Sequence, residues 1–261
     1  MKIRIVAAVV AAGAALLAAG LAGVGPWKPE PARYAQVIPS AQASPSTVAS
    51  PSTSPSASPS PAGPILRLAG PVQATGPGTF VKAAGAGPML GSAGRLRRFH
   101  VAVESNVAAD ELAEFTQTVE RTLADTRSWI GAGQHRFQRV PAAVAADFTI
   151  HLATRQTAYR MCRAGGVDIR VGGVPYTSCR RFRGVIVNLD RWRLSARPFV
   201  EAHVPLETYR AYVINHEVGH ELGRGHVGCP AAGRPAPVML PQTLGLRGCR
   251  ANPWPFFTRR A

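Results

Sequence analysis

An eleven-residue segment that begins at His216 and ends at His226 constrains this chain more than any other part of its sequence. It reads HEVGHELGRGH. Residues four apart share one face of an α-helix, so the first histidine and His220 can direct both imidazoles at one point, with Glu217 beside them. The third histidine reaches that point only if the chain turns back, and Gly223 suits such a turn because glycine adopts a left-handed conformation at little cost. The spacing therefore predicts three histidines that converge on one metal ion.

The predicted ion is Zn²⁺. Three neutral imidazoles leave a fourth tetrahedral position open, as in catalytic rather than structural zinc sites. Glu217 is then expected to act as the general base and to pass its proton to the leaving amine. Glu221 points elsewhere on the helical wheel and is interpreted as a solvated or supporting carboxylate. The alternative, a helix with solvated histidines, leaves Gly223 and His226 unexplained.

The other histidines do not have the spacing of metal ligands. They are interpreted as structural or surface residues: His100, His135, His151 and His203.

The N-terminus predicts export. Lys2 and Arg4 precede twenty uncharged residues from Ile5 to Val24, enough to span a bilayer. Segment 1–25 is therefore a signal anchor or a cleaved signal peptide. The lack of a good cleavage site at its end favours a single-pass anchor with the domain outside the cytoplasm over secretion.

Segment 26–64 is predicted to be a disordered spacer. From Ser40 to Pro64 it is almost wholly Ser, Pro, Ala and Thr, a composition with little to bury. Extended as polyproline II at about 3.1 Å per residue, this stretch would reach at most roughly 75 Å. The remaining residues, 65–261, are enough for one compact catalytic domain.

Hydrophobic patterning within that domain predicts an α+β fold. Four strands are expected, at 78–81, 98–104, 148–152 and 184–189, the last near the centre of a sheet. Two helices are expected, at 108–130 and at 205–223, of which the second carries the metal-binding histidines. The chain from Arg224 onward is expected to be irregular.

Four cysteines, Cys162, Cys179, Cys229 and Cys249, favour two disulfides in an exported protein. Three pairings are possible. The local one, Cys162 with Cys179 and Cys229 with Cys249, is favoured because each pair brackets a loop with little core of its own. Zinc ligation by cysteine is the alternative, but no pair has the two-to-four-residue spacing usual in structural sites.

The formal net charge of +16 indicates attraction to polyanions. Anionic lipids, wall polymers and nucleic acid are the three candidates. Short arginine runs, no binding motif and the export signal argue against nucleic acid. A solvated basic surface is expected, with anionic envelope polymers as candidate partners.

The segment from His216 to His226 resembles the signature of the metzincins, a family of zinc metallopeptidases. The resemblance implies a twisted mixed sheet, a long N-terminal helix, an active-site helix and an irregular C-terminal subdomain that contributes the third histidine. It also implies a methionine beneath the zinc in a tight turn. Met239 is the candidate, because the other methionines precede the motif.

A closer resemblance is to a domain-of-unknown-function family of exported bacterial proteins with metzincin-like motifs. It covers roughly Gly76 to Pro255. The segments that carry it are 127–130, 139–141, 147–152, 215–220, 233–239 and 252–255. Val227 and Pro241 depart from the patterns of the better-known metzincins, so no metzincin subfamily is assigned.

The expected function is zinc-dependent hydrolysis of peptide bonds in a peptide or protein substrate, at the cell envelope or outside the cell. A cell-wall peptide amidase and a catalytically idle zinc-containing binding module are the alternatives. The sequence leaves the substrate and the oligomeric state open.

Overall fold

The computed structural model describes residues 63–257, so the predicted segment 1–25 and nearly all of the predicted spacer lie outside the described residues. The strands are β1 (Phe80–Lys82), β2 (Met89–Leu90), β3 (Arg95–Glu104), β4 (His135–Arg139), β5 (Phe148–Ala153), β6 (Arg170–Val171), β7 (Val174–Pro175), β8 (Cys179–Arg181) and β9 (Gly184–Asn188). The helices are α1 (Ala108–Ala124), α2 (Arg155–Ala164), α3 (Leu189–Leu194), α4 (Arg197–Glu201) and α5 (Leu206–Glu221), with a 3₁₀ turn at Trp129–Ala132.

Seven strands form one mixed sheet in the order β2-β4-β3-β5-β9-β8, with β1 also paired to β3. Strands β4, β3, β5 and β9 run parallel to one another, whereas β1, β2 and β8 are antiparallel to their neighbours. β6 and β7 form a separate hairpin. Together with the helices, this mixed sheet confirms the predicted α+β class.

The two faces of the sheet bury separate apolar clusters. Successive residues of a strand point to opposite faces, so Val185 and Val187 of β9 join the main core with α1 and α5. Ile186 joins a smaller cluster with α2. Because β9 is buried on both faces, its sequence is a continuous apolar run rather than an alternating one.

The structure corrects three predicted boundaries. The helix expected to reach residue 130 ends at Ala124, because the Asp125 carboxylate accepts from the Arg127 backbone N–H at 2.8 Å and holds an extended turn. The strand expected at 98–104 begins earlier, at Arg95. Strand β9 ends at Asn188, whose side chain accepts from the Asp190 N–H and starts α3. β9 is also next to the edge strand rather than central.

The segment after α5 is irregular as predicted: it holds no helix or strand within the described residues, only an isolated bridge between Pro235 and Arg250. Both predicted disulfides are present, Cys162–Cys179 and Cys229–Cys249, which excludes these cysteines as zinc ligands. Disulfides are typical of proteins that fold outside the cytoplasm, in agreement with the predicted extracytoplasmic location.

Within residues 63–257 no helix has the length and apolar character needed to cross a membrane. The segment predicted to anchor the chain is not among these residues.

Candidate metal centre

Helix α5 carries two of the three predicted metal ligands, His216, which is buried, and His220, which is half-buried. It is buried nearly all round, because its first half packs Tyr209 and Tyr212 against Phe199 of α4 while its second half faces the sheet. Pro205 immediately precedes its first residue, close to the predicted start. The helix therefore fixes the positions of His216 and His220 through its own burial.

The turn that ends α5 has the hydrogen bonds of a Schellman motif. Gly223 has a φ of +82°, as expected for the residue just past a helix end. Its N–H donates to the His220 carbonyl at 3.1 Å, and the Arg224 N–H donates to the Gly219 carbonyl at 2.9 Å. This turn reverses the chain and brings His226 back to the face of the helix that carries the other two histidines.

The three imidazoles converge through their Nε2 atoms. His226 Nε2 lies 3.0 Å from His220 Nε2 and 3.3 Å from His216 Nε2. The three ligand atoms all lie within 4.8 Å of one another. Zn–N bonds of about 2.0–2.1 Å in a tetrahedron imply edges of roughly 3.3–3.4 Å. The spacing of the nitrogens therefore fits one zinc ion.

Backbone carbonyls fix the tautomers of two of these histidines. His216 Nδ1 donates to the Val238 carbonyl and His220 Nδ1 donates to the Arg224 carbonyl, each at 2.8 Å. A carbonyl can only accept, so each Nδ1 carries the proton and each Nε2 presents a lone pair. His226 Nε2 lies close to both of these nitrogens, so the three imidazoles can share one cation. The donor set thus matches the chemistry of a metal site.

Burial keeps the histidines neutral. Desolvation lowers the pKa of His216 to about 3, and it also lowers the pKa of His220 and of His226. Metal ligands must be unprotonated imidazoles. The protein therefore presents three ligands that need not release protons near neutral pH before they bind an ion.

Glu217 lies beside the histidines and is 5% exposed. Its Oε2 atom is buried and makes no hydrogen bond to any described residue. Desolvation by burial raises its pKa to about 8. A buried carboxylate oxygen left unpaired is costly, and such groups concentrate at functional sites.

Glu221 has the opposite environment: of its two interpretations, solvated or supporting, the solvated one is wrong and the supporting one agrees with the structure. It is buried, and its two oxygens accept from Arg97 Nη2 at 2.8 Å and from Arg180 Nε at 2.6 Å. These arginines belong to β3 and β8. Glu221 therefore ties the end of α5 to two strands of the sheet.

Met239 lies in the predicted tight turn, where the Leu240 N–H donates to the Pro237 carbonyl at 2.9 Å. It packs against Gly219, where a Cβ would overlap the methionine sulfur and the Trp129 ring. The same turn supplies the carbonyl that orients His216, and the Met239 carbonyl accepts from the Val227 N–H at 3.2 Å. The turn thus supports both the helical ligands and the chain that carries His226.

A buried polar clamp, which we did not predict, holds Asn215. Its side chain accepts from Ser128 Oγ at 2.7 Å and donates to the Pro253 carbonyl at 2.9 Å. Its backbone carbonyl accepts from Trp129 Nε1 at 2.9 Å. The clamp joins segments 127–130 and 252–255 to the residue that precedes the first helical histidine. A polar asparagine between the apolar run at 211–214 and His216 was the available signal.

A cavity of about 450 Å³ opens onto the candidate centre. Glu217 and the three histidines line it on one side, and β8 lines it on another. β8 ends the sheet order, so among the described strands only β9 pairs with it. The cavity therefore runs along a strand with one open side.

The remaining histidines belong to no group of potential metal ligands among residues 63–257, where His216, His220 and His226 form the only such group. His100 Nε2 donates to the Pro141 and Val144 carbonyls, whereas the His151 ring packs edge-to-face with Phe80.

Comparison with known proteins places the chain in one family. A family model described as "Protein of unknown function (DUF3152)" matches residues 66–249. No curated protein matches the chain, and no solved structure matches it. The match starts ten residues before the expected boundary at Gly76 and ends at Cys249, so the expected segment 252–255 lies outside it. Its description assigns no activity.

Proposed function

The chain belongs to this family of proteins of unknown function, and from the geometry of its site we propose that it is a zinc-dependent peptide hydrolase of metzincin type. One observation carries the proposal. The Nε2 atoms of three histidines, two of them with lone pairs fixed by backbone carbonyls, lie within 4.8 Å of one another, and they line one cavity with a buried carboxylate that has an oxygen without a partner among the described residues.

The three histidines would hold the ion. Zinc, when bound, supplies a Lewis acid that polarises the substrate carbonyl and acidifies water. The Val238 and Arg224 carbonyls keep the rings of His216 and His220 oriented for ligation. Met239 supports this arrangement from beneath, because it packs on the helix turn between the two ligands.

Glu217 would move the proton. Its free Oε2 takes a proton from the attacking water, the water oxygen bonds to the carbonyl carbon, and the same proton passes to the leaving nitrogen as the C–N bond breaks. The positive charge of an ion held by the three histidines would favour the ionised carboxylate and so oppose the effect of burial on its pKa.

The open side of β8 supports a peptide as the substrate. An extended peptide can add to a free sheet edge through main-chain hydrogen bonds. β8 borders the cavity that holds Glu217 and the histidines, so a peptide on this edge would pass the candidate centre.

The test combines metal analysis with a cleavage assay on the purified full-length chain. We expect one zinc per chain, and cleavage of a proteome-derived peptide library that a chelator abolishes and added zinc restores. A His226→Ala variant should bind zinc more weakly, because two ligands cannot hold the ion as three do. The loss of zinc affinity should exceed the roughly 10–100-fold that is typical when only a hydrogen-bond partner of a ligand is removed.

Failure to bind zinc at neutral pH would refute the proposal. Cleavage of murein peptides without cleavage of the library would instead favour the amidase alternative. Zinc binding without hydrolysis of either substrate would favour a binding module.

A further inference from the structure

A second surface lies at the end of the sheet where β3, β4, β5 and β9 begin and β8 ends. These four strands are parallel, so their first residues meet at one edge. Hydrogen bonds join the segments there: the Asp147 N–H donates to the Arg98 carbonyl at 2.8 Å, and Arg183 Nη2 donates to the Ala146 carbonyl at 2.9 Å. We call segments 95–98, 134–136, 142–147 and 181–183 the basic end.

The basic end is strongly cationic. Its arginines are Arg95, Arg97, Arg98, Arg136, Arg181 and Arg183. The same four segments contain one carboxylate, Asp147, whose Oδ2 accepts from the Arg98 backbone N–H. Of the six arginines, only Arg97 forms an ion pair with a described residue, the one with Glu221. The surface therefore keeps a large positive charge.

An aromatic side chain projects from this surface. Phe182 is 76% exposed at the tip of the turn between β8 and β9, and Val144 in the neighbouring segment is 44% exposed. The backbone at Phe182 and Arg183 has φ values of +45° and +63°. Two-residue hairpin turns with positive φ at both positions favour Asn and Gly, which avoid strain there. Phe182 therefore has a strained backbone conformation, although its side chain makes little contact with the rest of the fold.

Charge and apolar exposure together select the partner. A second copy of the chain would bring like charges together, which disfavours self-association through this end. A soluble polyanion matches the arginines but offers nothing to Phe182. A bilayer with anionic lipids offers phosphates to the arginines and an apolar layer to an aromatic side chain.

We propose that the basic end docks on a membrane that contains anionic lipids, with Phe182 inserted among the headgroups. This inference does not depend on the proposed hydrolase function. Membrane docking would nevertheless affect the proposed hydrolase function, since Arg181 also lines the cavity at the candidate centre. Docking would hold the mouth of that cavity near the membrane surface.

The test is hydrogen exchange on the full-length chain with vesicles of phosphatidylcholine alone and of phosphatidylcholine mixed with phosphatidylglycerol. Any attachment through the N-terminal segment is the same on both kinds of vesicle. The ratio of the exchange rate on one kind to the rate on the other therefore measures protection that depends on anionic lipid. We expect several-fold slower exchange in segments 142–147 and 181–184 on the anionic vesicles, and no change on the exposed face of α1.

Two variants separate docking from folding. Phe182→Asn suits the positive φ and should raise the melting temperature, yet it should bring the exchange ratio close to one. The pair Arg95→Gln and Arg98→Gln should do the same to the ratio, whereas the matched pair Arg234→Gln and Arg247→Gln, exposed in the C-terminal segment, should leave it unchanged.

Three outcomes would overturn the proposal. The first is equal protection on both kinds of vesicle. The second is the same protection from soluble polyphosphate without vesicles, which would assign the surface to a soluble polyanion. The third is full protection retained by Phe182→Asn.

Discussion

Two successive turns of α5 carry carboxylates of almost equal burial in opposite surroundings. Glu217 lines the cavity and is 5% exposed, and one of its oxygens has no partner among the described residues. Glu221, one turn later, is 8% exposed, and each of its oxygens accepts a hydrogen bond from an arginine of the sheet. Burial alone therefore does not identify a reactive carboxylate. What differs is whether the fold supplies partners.

The physical cost of each arrangement differs as well. A buried charge shared by two arginines is compensated within the fold, and removal of one member leaves uncompensated charge. A buried carboxylate without a partner destabilises the fold until an ion or a substrate joins it. Glu221 should therefore matter for stability and Glu217 for chemistry, and the following four experiments test that division.

The largest expected effect is on catalysis. Glu217→Ala should lower the rate of peptide cleavage by about 10²–10⁴, the range typical for loss of a general base. Zinc content and circular dichroism should match wild type, because Glu217 is proposed to move a proton and not to bind metal. A variant as fast as wild type would remove Glu217 from the mechanism.

The next largest effect is on folding. Glu221→Ala should lower the free energy of unfolding by about 3 kcal/mol, because Arg97 and Arg180 lose their shared partner. Chemical denaturation measures it. The matched control is Glu201→Ala, whose ion pair with Arg197 is exposed to solvent and should contribute little to stability. Equal losses in the two variants would contradict the assigned role of Glu221.

A third experiment uses pH on chelator-treated protein. Burial raises the pKa of Glu217 from 4.5 to about 8, so the folded state binds the proton more tightly than the unfolded state. The resulting stability is complete below about pH 4.5 and is lost as the pH rises through about 8.

Between pH 6 and pH 8, metal-free wild type should therefore lose about 2 kcal/mol more than Glu217→Gln, by chemical denaturation. The histidines titrate in both proteins, so the difference isolates Glu217. Identical pH profiles would show that the carboxyl group is not desolvated in the folded protein.

The smallest effect concerns the turn that closes the cavity side. Gly223→Ala should destabilise the protein by about 1 kcal/mol, because φ is +82° there, and Gly223→Asn should cost less. Gly225→Ala is the control in the same loop, since Gly225 has no positive φ and its Cβ would meet no atom within 4 Å. Thermal melts of the three variants decide it, and equal shifts in the two alanine variants would rule out the turn as the cause.

The sequence predicted the surroundings of Glu217 better than those of Glu221. His216, His220, Gly223 and His226 lie within eleven residues, so helix geometry and one turn were enough to bring them together. The partners of Glu221 are 124 and 41 residues away, and no local pattern encodes such contacts. The clamp on Asn215 was missed for the same reason.

The fold shows the same division between local and distant information. The α+β class, the strand at 148–152 and both disulfides follow from patterning and from the nearness of each cysteine pair. The order of the strands does not, because it depends on pairings between distant segments. The overextended first helix failed on a local detail, since the apolar periodicity through Ile130 hid the turn made by Asp125 and Arg127.

The hydrogen bond from Asn215 to the Pro253 carbonyl has a consequence for when the site forms during synthesis. The ligand helix is complete once residue 221 has been made, but its clamp requires a residue 38 positions after Asn215. A chain still emerging from the ribosome or from an export channel has the histidines without the clamp. The complete site can therefore form only after residue 253 has been synthesised and has emerged, so the order of synthesis delays its assembly.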